Sequence, residues 1–308
     1  MRRTAEFDAF GPWIDEVHTR EELPRLYRDA GIDPVAHRLV LKVPRNIERR
    51  NATPDMHLYD FLLALGDRSL TVLRRRDDSY DRADLPAAQL IAIEDSISLL
   101  DGRLTLYTAD GAATVVTYNA NDPAPIQRLI RMLRDTYLPP RAAAAPAGPA
   151  PAGLDLGNDD IGLVTACLKV LDAEPGLRLI SAQRRVVVGS VLGRGAGAFR
   201  LLRPVTLHAA VTLADDREIH LLHRRDRLTR GHAKVHSIAR TTLRRSGIAG
   251  VRVRPHEHFP RVTVVTAGTD DAALDFPVAT GAAADALAGL FSPAGPARPG
   301  SPGRTSRR

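Results

Sequence analysis

Cysteine is almost absent: the 308 residues hold one, Cys167. No intrachain disulfide can form, and a metal site built from several thiolates is excluded. Lysine is nearly as scarce, with Lys42, Lys169 and Lys234 the only three among 43 basic residues. The net charge of +7 is therefore an arginine charge, in a chain also rich in Ala, Gly and Pro. That bias is what GC-rich coding produces, and part of it sits in the tail at Arg298, Arg304, Arg307 and Arg308. It speaks to solubility and weak attraction to anions, and argues against nucleic acid as the partner. No run approaches about 18 apolar residues, so no spanning helix is expected. The opening MRRTAEFDAFGPW has no apolar stretch behind its basic residues, which argues against a signal peptide. A cytoplasmic protein is the expectation.

Catalytic signatures are missing as well. There is no GxSxG and no HExxH. GRGAGA (Gly193 to Ala198) lacks the GK[ST] of a phosphate loop and reads as a turn. The acidic pairs Asp77/Asp78, Asp159/Asp160 and Asp270/Asp271 fall at turns or caps, where Asp is locally favoured. With no constellation that a catalyst needs, the chain is expected to be non-enzymatic and to carry no cofactor.

What the chain does have is a repeat. LYDFLLALGDRSLTVLRRRD (Leu58 to Asp77) returns as LHAAVTLADDREIHLLHRRD (Leu207 to Asp226), with Asp67/Asp216, Arg68/Arg217, Arg75/Arg224 and Arg76/Arg225 among the identities. The match resumes further on, where RLTLYTADGAATVVTY (from Arg103) lies over RVTVVTAGTDDAALDF (from Arg261). The second copy carries about nine extra residues between Asp226 and Leu243. Two copies of one small fold are implied.

The expected organisation is an N-terminal segment plus first domain over 1–138, a linker over 139–157, a second domain over 158–291 and a disordered basic tail over 292–308. RAAAAPAGPAPAG (Arg141 to Gly153) cannot bury a face and marks the linker. TREELPRLYRDAG (Thr19 to Gly31) predicts a helix, with Thr19 and Glu22 as a capping box. IGLVTACLKVLDA predicts another, its stripe formed by Leu163, Ala166, Cys167, Val170 and Leu171. HRLVLKVP and the long LRLISAQRRVVVG read as first strands. GDR and DDR read as equivalent hairpin turns, and Asp101-Gly102 and Asp110-Gly111 as two more. Each unit should end in an amphipathic helix, on Ile126, Leu129, Ile130 and Leu133 in the first and on Ala284, Leu287, Ala288 and Phe291 in the second. Trp13 should pack over the first domain.

LALGDRSLTVLRRR, LLDGRLTLYTADG and IQRLIRMLR together resemble the bacterial pleckstrin-homology-like (PH-like) domains, well over 36–138 and less well over 177–291. The resemblance implies an α+β, mainly β fold. It would contain two PH-like antiparallel sandwiches or partly closed barrels, each capped by a C-terminal helix. It also implies non-enzymatic roles beside membranes or in assemblies. FGPWIDEVHT and LVLKVPRNIERRNATPDM further resemble a recurring actinobacterial chain type, which implies a source and no function.

Eukaryotic members of that fold bind phosphoinositides through basic residues of the first strands. Lys42, Arg45, Arg49 and Arg50 stand in the corresponding place and are the candidate anion site; Arg184, Arg185, Arg194, Arg200 and Arg203 are their counterparts. The competing reading is a solvated strand edge. Seven of ten histidines lie between 208 and 258. His232 and His236 are four apart, His256 and His258 share a strand face, and Glu218 or Glu257 could assist a metal. His220 and His223 would point to opposite faces of a strand. No convergent set emerges, so no metal is expected. Cys167 reads as an inert core thiol. The function that follows is a scaffold for an unidentified protein partner. Peripheral attachment to anionic membrane is the alternative, and a metal-binding or enzymatic second domain comes third.

Overall fold

The computed structural model describes residues 4–139, 154–189, 205–231 and 235–291. GRGAGA, Arg194, Arg200, Arg203, His232, the Ala/Pro/Gly stretch from Arg141 to Gly153 and the tail lie outside the described residues.

The first unit opens with a short helix, α1 (Ala5–Ala9), and a two-residue strand, β1 (Asp15–Glu16). Then come β2 (Leu39–Pro44), β3 (Tyr59–Leu65), β4 (Ser69–Arg76) and β5 (Ser79–Pro86), which with β1 make one five-stranded sheet in sequence order. A meander follows, β6 (Leu90–Ser98), β7 (Asp101–Thr108) and β8 (Ala113–Asn119), and α2 (Ala124–Tyr137) closes the unit.

The second unit starts with α3 (Ile161–Ala173), β9 (Arg178–Gln183), β10 (Val186–Val188) and β11 (Val205–Leu207). It continues through β12 (Ala210–Ala214), β13 (Glu218–His223), β14 (Leu228–Arg230) and β15 (Ile238–Arg244). It ends with β16 (Gly250–Pro255), β17 (Val262–Gly268), β18 (Ala273–Ala279) and α4 (Ala282–Gly289). The chain is mainly β, and every strand pair among the described residues is antiparallel. None of the sheets closes into a barrel. No described helix is long and apolar enough to cross a membrane.

The two halves repeat one strand order. β2-β3-β4-β5 has its parallel in β9-β12-β13-β15, and β6-β7-β8 in β16-β17-β18, each series followed by a helix. Single bonds repeat too. Ala87 N donates to Arg68 O and Arg245 N to Arg217 O; Gly66 N donates to Ser69 O and Asp215 N to Glu218 O. The extra residues of the second half supply β14, which joins β10 and β11 in a small sheet of their own.

The halves are not separate bodies on a tether. β6 of the first pairs with β15 of the second, from Ala92↔Leu243 to Ile97↔Ile238, giving one seven-stranded sheet ordered β8-β7-β6-β15-β13-β12-β9. Each half keeps its own core. Leu63, Val72, Leu106 and Val116 pack with Ile126, Leu129 and Leu133 of α2. Val265, Phe276 and Leu287 pack with Ile219, Leu221 and Leu243, and Ile91 and Ala92 reach in from the first half. The expected helix stripes are thus buried, with Ile130 and Phe291 at their margins.

Several local expectations are corrected. Thr19 to Gly31 is no helix but two short 3₁₀ turns, Arg20–Glu22 and Arg25–Tyr27. Pro24 separates them, because a residue before proline is driven out of the helical region; Leu23 has φ −60° and ψ 132°. The segment lies over the outer face of β2–β4, where Leu23 and Tyr27 pack with Val40, Leu62 and Leu73. Strands β2–β4 are therefore covered on both faces. The long LRLISAQRRVVVG breaks into β9 and β10, which belong to different sheets.

The β6–β7 turn falls on Leu99-Leu100 rather than Asp101-Gly102, and Leu99 takes φ +56°. Gly102 is needed for packing instead: a Cβ there would lie 2.4 Å from the Tyr118 ring. Asp110-Gly111 does turn, with Gly111 at φ +85°. Trp13 is 50% exposed, half covered at the surface of the first unit rather than enclosed in its core.

Candidate functional site at the junction of the two units

Each of the four candidate cations on the first hairpin has an intramolecular partner. Lys42 is buried, its Nζ 3.5 Å from Glu22 O and 5.3 Å from the centre of the Tyr59 ring. Arg45 donates to His57 O at 3.2 Å and lies 4.0 Å from Asp60. Arg49 donates to Phe10 O at 2.6 Å and to Phe7 O, and its guanidinium lies 4.3 Å from the centre of the Phe7 ring. Arg50 is exposed and paired with Glu48. Lys42 and Arg49 tie the N-terminal segment to the sheet. Arg184 pairs with Asp155, and Arg185 with Asp159 and Asp160. The mutual repulsion that would call for an anionic ligand is met from within the chain.

The repeated arginine pair is structural in the same way. Arg75 donates to Asp60 at 2.9 Å, and Arg224 reaches Asp160 at 2.6 Å. Arg225 crosses the seam to Ser96 and Asp101.

The histidines do not converge. His220 and His223 lie on opposite faces of β13, as expected. His223 is buried, and burial holds its imidazole well below the usual pKa. Its Nδ1 donates to Arg224 O at 2.6 Å and its Nε2 accepts from Arg227 at 3.0 Å, an arrangement that fixes a neutral ring. The His256-Glu257-His258 run is a turn beyond β16, not a strand face, and its two rings sit against Phe259. Cys167 is buried on α3, and burial pushes its thiol up to about 11, as suits an inert core residue.

The feature that stands out is a cleft of about 840 Å³ between α2 and α3. The seam strands make its floor. Ile93 and Ile97 of β6, Ile238 of β15 and Leu222 of β13 supply the apolar part, with Ile130 of α2 and Val170 of α3 as walls. Size and mixed lining are those of a ligand- or peptide-binding site. Arg131, Lys169 and Asp135 stand at the mouth, all exposed.

At its inner end runs a polar cluster drawn from both units. Arg134 of α2 donates to Glu218 of β13 at 2.6 Å and to Glu174, just past α3, at 2.6 Å. Tyr137 donates to Glu218 at 3.0 Å, and Arg240 of β15 to Glu174 at 2.6 Å. Arg240 also reaches His220 Nδ1 at 2.9 Å. Burial opposes the Glu174 carboxylate, yet the hydrogen bonds from Arg134 and the charges of Arg240 and Arg134 outweigh it and hold its pKa well below the carboxylate range. Burial, then the Glu218 charge, pushes Tyr137 far above a normal phenol. Asp95, opposite Arg240 across the seam, is raised by burial and accepts from Tyr118 at 2.6 Å.

Glu174, Glu218 and His220 bring ligand atoms within 4.8 Å of one another, the closest approach to a metal-ligand set among the described residues. Arg134 already bridges the two carboxylates, so a cation would have to displace a buried guanidinium. The sequence offers Glu218 and His220 only as loose metal candidates and does not single out Arg134, Glu174 or Arg240. One signal was present: Arg134 directly follows Leu133 on the apolar stripe, where a charge needs a partner.

No protein-family profile and no curated protein matches this chain.

Proposed function

We propose that the chain is a non-enzymatic interaction module, two PH-like units fused through one sheet, with the junction cleft as its recognition site. The observation that carries this reading is the cleft: neither unit has it alone, because α2 comes from one and α3 from the other. Its polar end is occupied by groups that satisfy one another, as a binding frame requires and as a catalytic acid or base does not. The competing membrane reading loses support because Lys42, Arg45 and Arg49 are engaged inside the first unit.

The test is a blocked cleft. Val170→Glu and Ile130→Glu together place charge on both walls at partly exposed positions. Partners recovered from the native host with the parent chain should be lost with this variant while its melting temperature stays within a few degrees. Recovery of the same partners by both forms would remove the cleft from consideration.

A further inference from the structure

The seam inside the chain joins two kinds of edge. β6, first strand of a three-stranded series, meets β15, last strand of a four-stranded series. The counterpart of β6 in the second unit is β16, and the counterpart of β15 in the first unit is β5. Both are edge strands without a partner on their outer side among the described residues. β5 and β16 of one chain cannot reuse the seam already made, but β16 of one molecule and β5 of another can repeat it.

We propose that this protein self-associates head to tail by pairing β16 of one copy with β5 of the next, reproducing between molecules the β6–β15 seam.

Three observations support it. The first is hydrogen-bond parity. Ala87 N bonds Arg68 O, so along β5 the odd residues face β4 and Tyr80, Arg82 and Asp84 turn their backbone groups outward. His256 N bonds Val262 O, so along β16 the even residues face β17 and Val251, Val253 and Pro255 point outward. In the existing seam Arg245 N bonds Arg217 O, which leaves Ile238, Arg240 and Thr242 to meet Ile97, Asp95 and Ile93. Carried over by the repeat, that register sets Val251 against Asp84, Val253 against Arg82 and Pro255 against Tyr80. The outward groups coincide at every step, and the only donor lost is that of Pro255 at the strand end.

The second observation is charge. In the same register Arg254 lies opposite Asp81, and Arg252 sits diagonal to it across Ala83. β16 carries Arg252 and Arg254 with no acid, whereas β5 carries Asp81 and Asp84 with one arginine. Pairing β16 with another β16 would oppose arginines; pairing it with β5 opposes unlike charges. Asp81 and Arg254 are held at present only by exposed ion pairs, to Arg76 at 2.5 Å and Asp275 at 3.0 Å, and such pairs exchange at little cost.

The third is exposure. Residues 252–255 are all exposed, and Val253 is 53% exposed with an apolar side chain on an open edge. Because the two surfaces differ, the contact is heterologous and generates rings or filaments rather than closed two-fold dimers. This inference is independent of the cleft and fails or stands separately from it.

The experiment uses the full chain. Sedimentation velocity over rising concentration should show a growing series of oligomers. Ala83→Cys and Arg252→Cys, made in separate chains, face each other in the proposed register. Oxidation should give a linked dimer in their mixture and none with either alone. Asp81→Arg should weaken association about fivefold, as should Arg254→Asp, and mixing the two should restore it. Both positions are exposed, so the melts should be unchanged. A lone monomer at all concentrations with no mixed disulfide would overturn the proposal. So would linkage of Ala83→Cys to itself, or failure of the two reversed chains to restore each other.

Discussion

The Arg134 guanidinium, at the end of the first unit's helix, lies 2.6 Å from the Glu218 carboxylate on a strand of the second unit, and Glu218 is fully buried. This ion pair ties the two units together beside the β6–β15 seam. Removing one partner leaves a buried charge unmatched, which costs about 3–5 kcal/mol. Arg134→Met should therefore lose stability of that order in urea unfolding. Adding Glu218→Gln should recover part of it, because the stranded charge is then gone. Equal losses in the single and double variants would mean that Arg134 acts by packing alone.

Stability should fall in two stages on acidification. His223 is held neutral in the folded chain, and His208 is also depressed, in both cases by burial first. The unfolded chain therefore takes up protons first as pH drops below about 6.5, and stability declines by up to about 1.4 kcal/mol per pH unit for each such histidine. Glu174, depressed in the fold, keeps its contribution above about pH 4.5 and loses it only below. Asp95, raised by burial, works in the opposite direction from the acid side. Unfolding free energy measured from pH 7.5 to 5 should decline, and His223→Gln should flatten that slope.

Leu129 is fully buried beneath the first sheet with Ile126 and Leu133. Leu129→Ala should cost about 2–5 kcal/mol from lost transfer energy and the cavity left behind. A near-neutral result in thermal or urea unfolding would mean that α2 rides loosely on the sheet, which would also undermine the cleft wall it provides.

Reversing Arg45 and Arg49 to Glu should lower the melting temperature, because Arg49 holds the carbonyl of Phe10 and stacks on Phe7. Hydrogen bonds from a charged donor contribute about 1.5–3 kcal/mol. Sedimentation with anionic vesicles should show no binding by the parent chain at about 0.15 M salt. Binding that the reversal abolishes without a shift in melting would reinstate a ligand surface.

The repeat was legible because identical residues recur where the fold uses their side chains: Arg75 and Arg224, equivalent in the two copies, each donate to an aspartate, Asp60 and Asp160. The terminal helices were legible from their stripes. The junction was not, because it is long-range. Glu174 reads as the tail of one helix, Arg134 as a lone charge on the apolar stripe of another, and the β6–β15 pairing brings them together. Two local misreadings have simpler causes. Pro24 defeats a capping box that starts well, and an Asp-Gly step that signals a turn is instead a glycine kept small by the Tyr118 ring. The partners of the four candidate cations are not evident in sequence, because Glu22, Phe10 and Phe7 lie 20, 39 and 42 residues before the side chains they hold, and His57 and Tyr59 lie after them.

The shared sheet also bears on biosynthesis. β6 cannot find its seam partner until β15 has left the ribosome, about 140 residues later. At roughly 5–20 residues per second, that strand waits on the order of 7–30 s with one edge open. Its exposed backbone is flanked by Ile91, Ile93 and Ile97, a sequence prone to pair with whatever strand arrives first. In crowded translation that strand can come from a neighbouring nascent chain. Slow synthesis of the second half, or its truncation, should therefore favour exchange of halves between molecules, giving domain-swapped pairs that preserve every contact of the seam.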